Sequence, residues 1–97
     1  MDTHRKTIFC VDDAVTNLAI AKNTLAEYYN VFTMNSGERL LKILEKHIPD
    51  LILLDVEMPE MSGYDIIKII KNDNKTEHVP VIFLTAINDS ASELEGL

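Results

Sequence analysis

The chain has 97 residues, 46% of them hydrophobic and 26% charged, with 16 acids against 9 lysines and arginines and a net charge of −7. That balance fits one folded globular domain near the lower end of the common size range and excludes a disordered tail. The acidic excess disfavours nonspecific nucleic-acid binding by this segment, which needs a basic face, and no apolar run approaches the roughly 20 residues of a membrane span. Residues 1–6 are polar and lack the apolar segment of a signal peptide. The single cysteine, Cys10, cannot form an internal disulfide, so a cytoplasmic location is expected. Its place between Phe9 and Val11 reads as a small buried hydrophobe.

In chain order, TIFCV at 7–11 opens the pattern as a continuously apolar strand. Leu18, Ala21, Leu25 and Tyr28 then repeat at intervals of 3, 4 and 3, the spacing of one helix face. NVFTM at 30–34 is more mixed and suits an edge strand. Leu40, Leu41, Leu44 and Ile48 define a second helix, with Asn35 and Glu38 resembling a capping pair at its start. LILL at 51–54 is the third strand. Ile66, Ile67 and Ile70 define a third helix with Lys68 and Lys71 outward. Together with Lys75 these lysines read as a solvated face, diluted by Asp65, Asp73 and Glu77. VIFL at 81–84 is the fourth strand, and Pro49 and Pro80 sit just before strands, where a missing backbone donor costs least. Residues 90–94 read as the beginning of a fourth helix.

Strands alternating with helices predict an α/β doubly wound parallel sheet with right-handed crossovers, its continuous apolar strands covered on both faces. Residues 1–97 form one domain without internal repeat or linker. The pattern is that of the front four-fifths of such a domain, incomplete at its C-terminal side.

In a parallel sheet all strand C-termini lie at one end, where ligand sites form. The first strand runs into Asp12 and Asp13, the third ends at Asp55, and the fourth ends at Thr85. Taken singly, each has a plain structural role: Asp13 as a helix N-cap, Asp12 and Asp55 as solvated acids, and Thr85 as an ordinary strand residue. As a set they do not. Two carboxylates about 4 Å apart repel by roughly 4 kcal/mol at an effective dielectric near 20, against a total domain stability of about 5–15 kcal/mol. If the first and third strands are neighbours, the three acids need a cation or a proton. A few hard oxygen ligands in an open site favour Mg²⁺. Zinc is disfavoured because Cys10, His4, His47 and His78 lack ligand spacing, and the histidines read as surface or loop residues. A carboxylate beside Mg²⁺ can also act as a nucleophile towards phosphorus, with a hydroxyl such as that of Thr85 binding a phosphoryl oxygen.

IFCVDD leading into a helix with Asn17, then LILLDVEMPEMSGYD, then VPVIFLTA resemble the receiver domain of two-component response regulators, in order and spacing from residue 7 to the end. The resemblance implies a flavodoxin-like strand order 2-1-3-4(-5), here stopping after the start of the fourth helix. It implies that Asp55 is the phosphoacceptor, charged by a histidine kinase or phosphotransfer protein, and that a conformational switch is read by an output partner or output domain. Asp13 matches the direct metal ligand and Asp12 its partner, often acting through water. Glu57 matches the residue whose backbone carbonyl binds Mg²⁺. Thr85 matches the switch hydroxyl, Ala86 the small residue beside it, and Met58, Pro59 and Gly63 the loop at the rim.

The family's lysine, on a fifth strand, would lie beyond Leu97, and Lys68, Lys71 and Lys75 do not match it. An uncovered fourth strand implies a homodimer through that side. Two alternatives stand beside this reading: an interaction module that is never phosphorylated, and a haloacid-dehalogenase-type phosphohydrolase. The latter usually carries Asp-x-Asp-x-Thr after its first strand, whereas Asp55 follows the third.

Overall fold

The computed structural model describes residues 5–84. Seven elements follow in order: β1 (Thr7–Val11), α1 (Val15–Leu25), β2 (Asn30–Met34), α2 (Gly37–Leu44), β3 (Leu51–Asp55), α3 (Gly63–Lys71) and β4 (Val81–Leu84). The strands form one parallel sheet in the order β2-β1-β3-β4. This is the expected doubly wound arrangement, with the mixed strand β2 at an edge. The start of a fourth helix at 90–94, together with Thr85 and Ala86, lies outside the described residues.

Side-chain alternation sorts the sheet into two faces. Phe9, Val11, Ile52 and Leu54 point to the side of α2 and α3, and with Met34, Leu40, Leu44, Ile66, Ile70 and Val79 they make the main core. Ile8 and Cys10 face the other way, and both are buried, as is Leu18 of α1. Full cover on both faces holds for β1 but not beyond it. Along β3, Ile52 and Leu54 are buried while Leu51 and Leu53 are only partly so, and Ile82 on β4 is half exposed. The reason is placement: α1 packs on β1 and β2, so the same face of β3 and β4 has no helix over it among the described residues. No described helix is long and apolar enough to cross a membrane.

Helix ends depart from the periodic pattern in ways that local chemistry explains. Helix α1 stops at Leu25, and Tyr28, assigned to its apolar face by spacing, is exposed in the following turn. The chain must leave the helix there because the Asn30 amide donates to the Lys6 carbonyl to begin β2. Helix α2 stops at Leu44, and Ile48 is likewise exposed. Ile48 precedes Pro49, which disfavours a helical conformation for it. Asp50 then ties the strand start: its amide donates to the Thr7 carbonyl, and its carboxylate accepts from the Thr7 amide. The N-cap of α2 is Ser36, whose hydroxyl accepts from the Arg39 amide, so the Asn35–Glu38 pair does not cap.

Lys71 is exposed like Lys68 and Lys75, but its tip is tied to the backbone. Its ammonium donates to the carbonyls of Glu77 (3.1 Å) and Val79 (2.6 Å), and the Thr76 hydroxyl donates to the Ile70 carbonyl. These bonds close the end of α3 onto the loop leading into β4. Lys68 and Lys75 are exposed, as are His47 and His78.

Gly37 shows how closely α2 and α3 approach. A Cβ there would fall onto Ile66 Cδ1, with Cγ1 of the same side chain at 2.9 Å. Gly37→Ala is expected to cost about 1–3 kcal/mol in urea unfolding. The added methyl meets the tip of Ile66, so Ile66→Val in the same chain should recover part of that cost, a non-additivity that a double-mutant cycle measures.

Candidate functional site

The sheet register builds the acidic site. Val11 pairs with Leu54, so Asp12, the next residue after β1, lies beside Asp55, the last of β3. By alternation Asp12 continues the Ile8–Cys10 side and Asp55 the Leu51–Leu53 side, which is one and the same face. The Asp12 amide donates to the Met34 carbonyl, which extends the β1–β2 ladder one residue past β1. Carboxylate oxygens of Asp12, Asp13 and Asp55 all lie within 4.8 Å of one another. The expected convergence of the three acids is present.

The three differ in their surroundings. Asp12 is buried, 4% exposed. Its Oδ1 accepts from the Ala14 amide at 2.9 Å and its Oδ2 from Asn17 Nδ2 at 3.0 Å. Asp13 is exposed, and no donor reaches its carboxylate among the described residues. It is not the helix cap either, since Ala14 occupies the N-cap of α1 with no side-chain bond. Asp55 is partly buried, and its Oδ1 accepts from the Glu57 amide at 3.3 Å. Burial and then the charge of Asp12 push the Asp55 carboxyl up from 3.8 to about 6, with Asp13 adding to the rise and the Glu57 amide opposing it. In Cys10, burial and then Asp12 raise the thiol to about 11, so it is the inert small residue its neighbours implied.

Behind Asp55 the loop is held by α3. Ser62 caps this helix with a hydroxyl that accepts from the Asp65 amide at 3.2 Å and donates to Asp65 Oδ2 at 3.1 Å. Ser-x-x-acid spacing, not singled out above, is the local signal for such a cap. The Gly63 amide donates to the Val56 carbonyl, and a Cβ on Gly63 would sit 2.6 Å from the Asp55 carbonyl oxygen and 2.9 Å from Val56 Cα. The helix start thus rests on the acid's own peptide group, a distance only glycine permits. Met58 and Met61 pack against the main core from this loop, and with Pro59 they line a groove beside Asp13 and Lys42. The role of Asn17 was not read from its position, since an asparagine in the first turn of a helix carries no spacing signal of its own. Thr85, the expected hydroxyl, lies outside the described residues; β4 pairs Leu84 with Asp55 at their edge.

A carboxylate that is exposed and unpartnered among the described residues, beside two held ones, is a donor set that suits a hard divalent cation, and the residues present fit Mg²⁺. The sequence profile of the response regulator receiver domain matches residues 8–97. The chain belongs to that family. It is 45% identical over 95 residues to a probable cyclic di-GMP phosphodiesterase of Vibrio cholerae, covering 98% of this chain and 22% of that protein. It is 38% identical over 91 residues to the response regulator PleD of Caulobacter vibrioides, covering 93% of this chain and 20% of that one. The chain therefore spans about a fifth of the length of these relatives. Among solved structures, the N-terminal domain of a response regulator receiver protein from Methanoculleus marisnigri JR1 superposes with a TM-score of 0.79 at 34% identity, over 93% of this chain and 76% of that one. Receiver domains are the phosphoacceptor modules of two-component signalling.

The raised Asp55 carboxyl sets a pH dependence. Unfolded Asp55 loses its proton near 3.8 and folded Asp55 near 6, so the folded state binds more protons between those values. In metal-free buffer this group's contribution is complete below pH 3.8 and is lost as pH rises to about 6. Asp55→Asn is expected to stabilise the metal-free receiver by about 1–2 kcal/mol at neutral pH, a value reduced for solvent screening. The gain should shrink towards pH 4 in denaturant titrations with chelator present. Gly63→Ala should destabilise by about 2–4 kcal/mol, since its methyl meets backbone that cannot rotate away; the same titrations check it.

Proposed function

We propose that Asp55 is the phosphoacceptor of this receiver and that Asp12, Asp13 and Asp55, with the backbone carbonyl of Glu57, bind Mg²⁺. The observation that carries the reading is the convergence of three carboxylates within 4.8 Å at the C-terminal end of β1 and β3. When bound, Mg²⁺ would supply the positive charge that neutralises the acids and the incoming phosphoryl oxygens. One Asp55 oxygen forms the new P–O bond as the P–N bond of a donor phosphohistidine breaks, and the electron pair leaves with the imidazole. Thr85 would donate its hydroxyl to a phosphoryl oxygen, with Ala86 leaving room for it.

The burial and charge that raise Asp55 also describe what cation binding must relieve: the nucleophile has to be ionised to attack. Asp13, exposed and without a donor among the described residues, is the acid that can turn to a cation at least cost, whereas Asp12 is already held on both oxygens. The donor is a histidine kinase or phosphotransfer protein. The switch is read by an output partner or output domain, and the receiver acts as a regulatory module in the cytoplasm rather than as a turnover enzyme.

Incubation with MgCl₂ and a small phosphoryl donor such as acetyl phosphate should add one phosphoryl group by intact mass, and Asp55→Asn should abolish it. Modification that persists in Asp55→Asn would move the acceptor elsewhere. No modification of a folded, Mg²⁺-saturated chain would favour an interaction module that is never phosphorylated.

A further inference from the structure

Asp12 is the most buried of the three acids, and two protein donors reach it, one on each oxygen. The Ala14 amide is part of the turn that follows β1 and comes with the backbone. Alone it would leave the carboxylate free to rotate about Cβ–Cγ, a torsion whose energy profile is broad and two-fold. The second donor, Asn17 Nδ2 at 3.0 Å, removes that freedom and fixes the carboxylate plane.

Asn17 has no evident purpose in the helix itself. It lies in the first turn of α1 on an exposed position, and it is a poorer helix former than alanine by up to about 0.7 kcal/mol. A first-turn asparagine can bond nearby backbone at the helix start; this one bonds instead to the side chain of a buried acid that precedes the helix. Two donors still leave lone pairs on Asp12, because a carboxylate offers about four acceptor sites.

We propose that Asn17 is a positioning residue for the cation site: its carboxamide holds the Asp12 carboxylate in the orientation that faces Asp13 and Asp55, without itself meeting the ion. The proposal rests on the reading of these acids as a Mg²⁺ site. Groups that orient a metal ligand from behind typically contribute a factor of about 10–100 in affinity, and the lower end applies to an exposed helix residue.

The test is a calorimetric titration with MgCl₂ of the wild type, Asn17→Ala and Asn17→Gln. Asn17→Ala should raise the dissociation constant about tenfold, while Asn17→Gln, which keeps the donor, should stay within about threefold of wild type. Asn17→Ala removes a donor from a buried carboxylate, so its metal-free melting temperature should fall modestly while unfolding stays cooperative, which separates loss of affinity from loss of fold. At saturating MgCl₂ the phosphorylation rate of Asn17→Ala should return to within about threefold of wild type, because only the cation's hold has changed. Unchanged Mg²⁺ affinity in Asn17→Ala, an equal loss in Asn17→Gln, or a rate that stays depressed at saturation would each overturn the positioning role and leave the Mg²⁺ site standing. A folded wild type that takes up no Mg²⁺ would overturn both.

Discussion

The parallel pairing of β1 with β3 is the constraint on which the rest depends. It brings two strand ends to the same height and the same face, so Asp12 and Asp55 become neighbours whatever their mutual repulsion. Like charges at such separations are kept apart in most proteins by side-chain rotation. Here rotation is limited: Asp12 is buried and bonded on both oxygens, and Asp55 is tied to the Glu57 amide. The sheet's hydrophobic core, Phe9 through Val79, supplies the stability that holds this unfavourable set together. A cation or a proton at this cluster relieves the repulsion, in keeping with the raised Asp55 carboxyl, whose first cause is burial and second the charge of Asp12.

The connections at the two ends of α3 make that helix and the sheet one mechanical piece. At its start the Ser62 cap and the Gly63 contact set the helix against the peptide of Asp55. At its end Lys71 and Thr76 bind carbonyls on either side of the turn before β4. Asp55, α3 and the segment that delivers β4 are thus joined by contiguous backbone and side-chain contacts. Helix α1 is joined differently: apart from packing on β1 and β2, its contact with the acids is the Asn17 carboxamide.

Much of this was legible in the amino-acid sequence because the fold is written in continuous apolar runs. All four strands and the edge position of β2 followed from TIFCV, NVFTM, LILL and VIFL, whereas the convergence of the acids also needed β1 beside β3, an order that the family resemblance implied and the apolar runs alone do not carry. The misses share a physical cause. Tyr28 and Ile48 continue a helical spacing after the helix has stopped, because hydrogen bonds from Asn30 and Asp50, together with the conformational demand of Pro49, override periodicity. The Ser36 cap displaced the Asn35–Glu38 pair because capping depends on which residue adopts the extended backbone, a property that spacing does not carry. Lys71 reads as surface in any charge pattern; its carbonyl partners are brought to it by a turn that no local signal describes.

The β1–β3 register has one more effect. A slip of β3 by one residue would exchange its two faces and carry Leu51, Leu53 and Asp55 towards Leu40, Leu44, Ile66 and Ile70. An ionised carboxylate cannot be accommodated among those side chains without a partner. A run as uniform as LILL offers little of its own to tell one alignment from the next, and the acid at its end supplies the missing distinction. Asp55 is thus also a folding marker that penalises every odd misalignment of its strand before any ligand arrives.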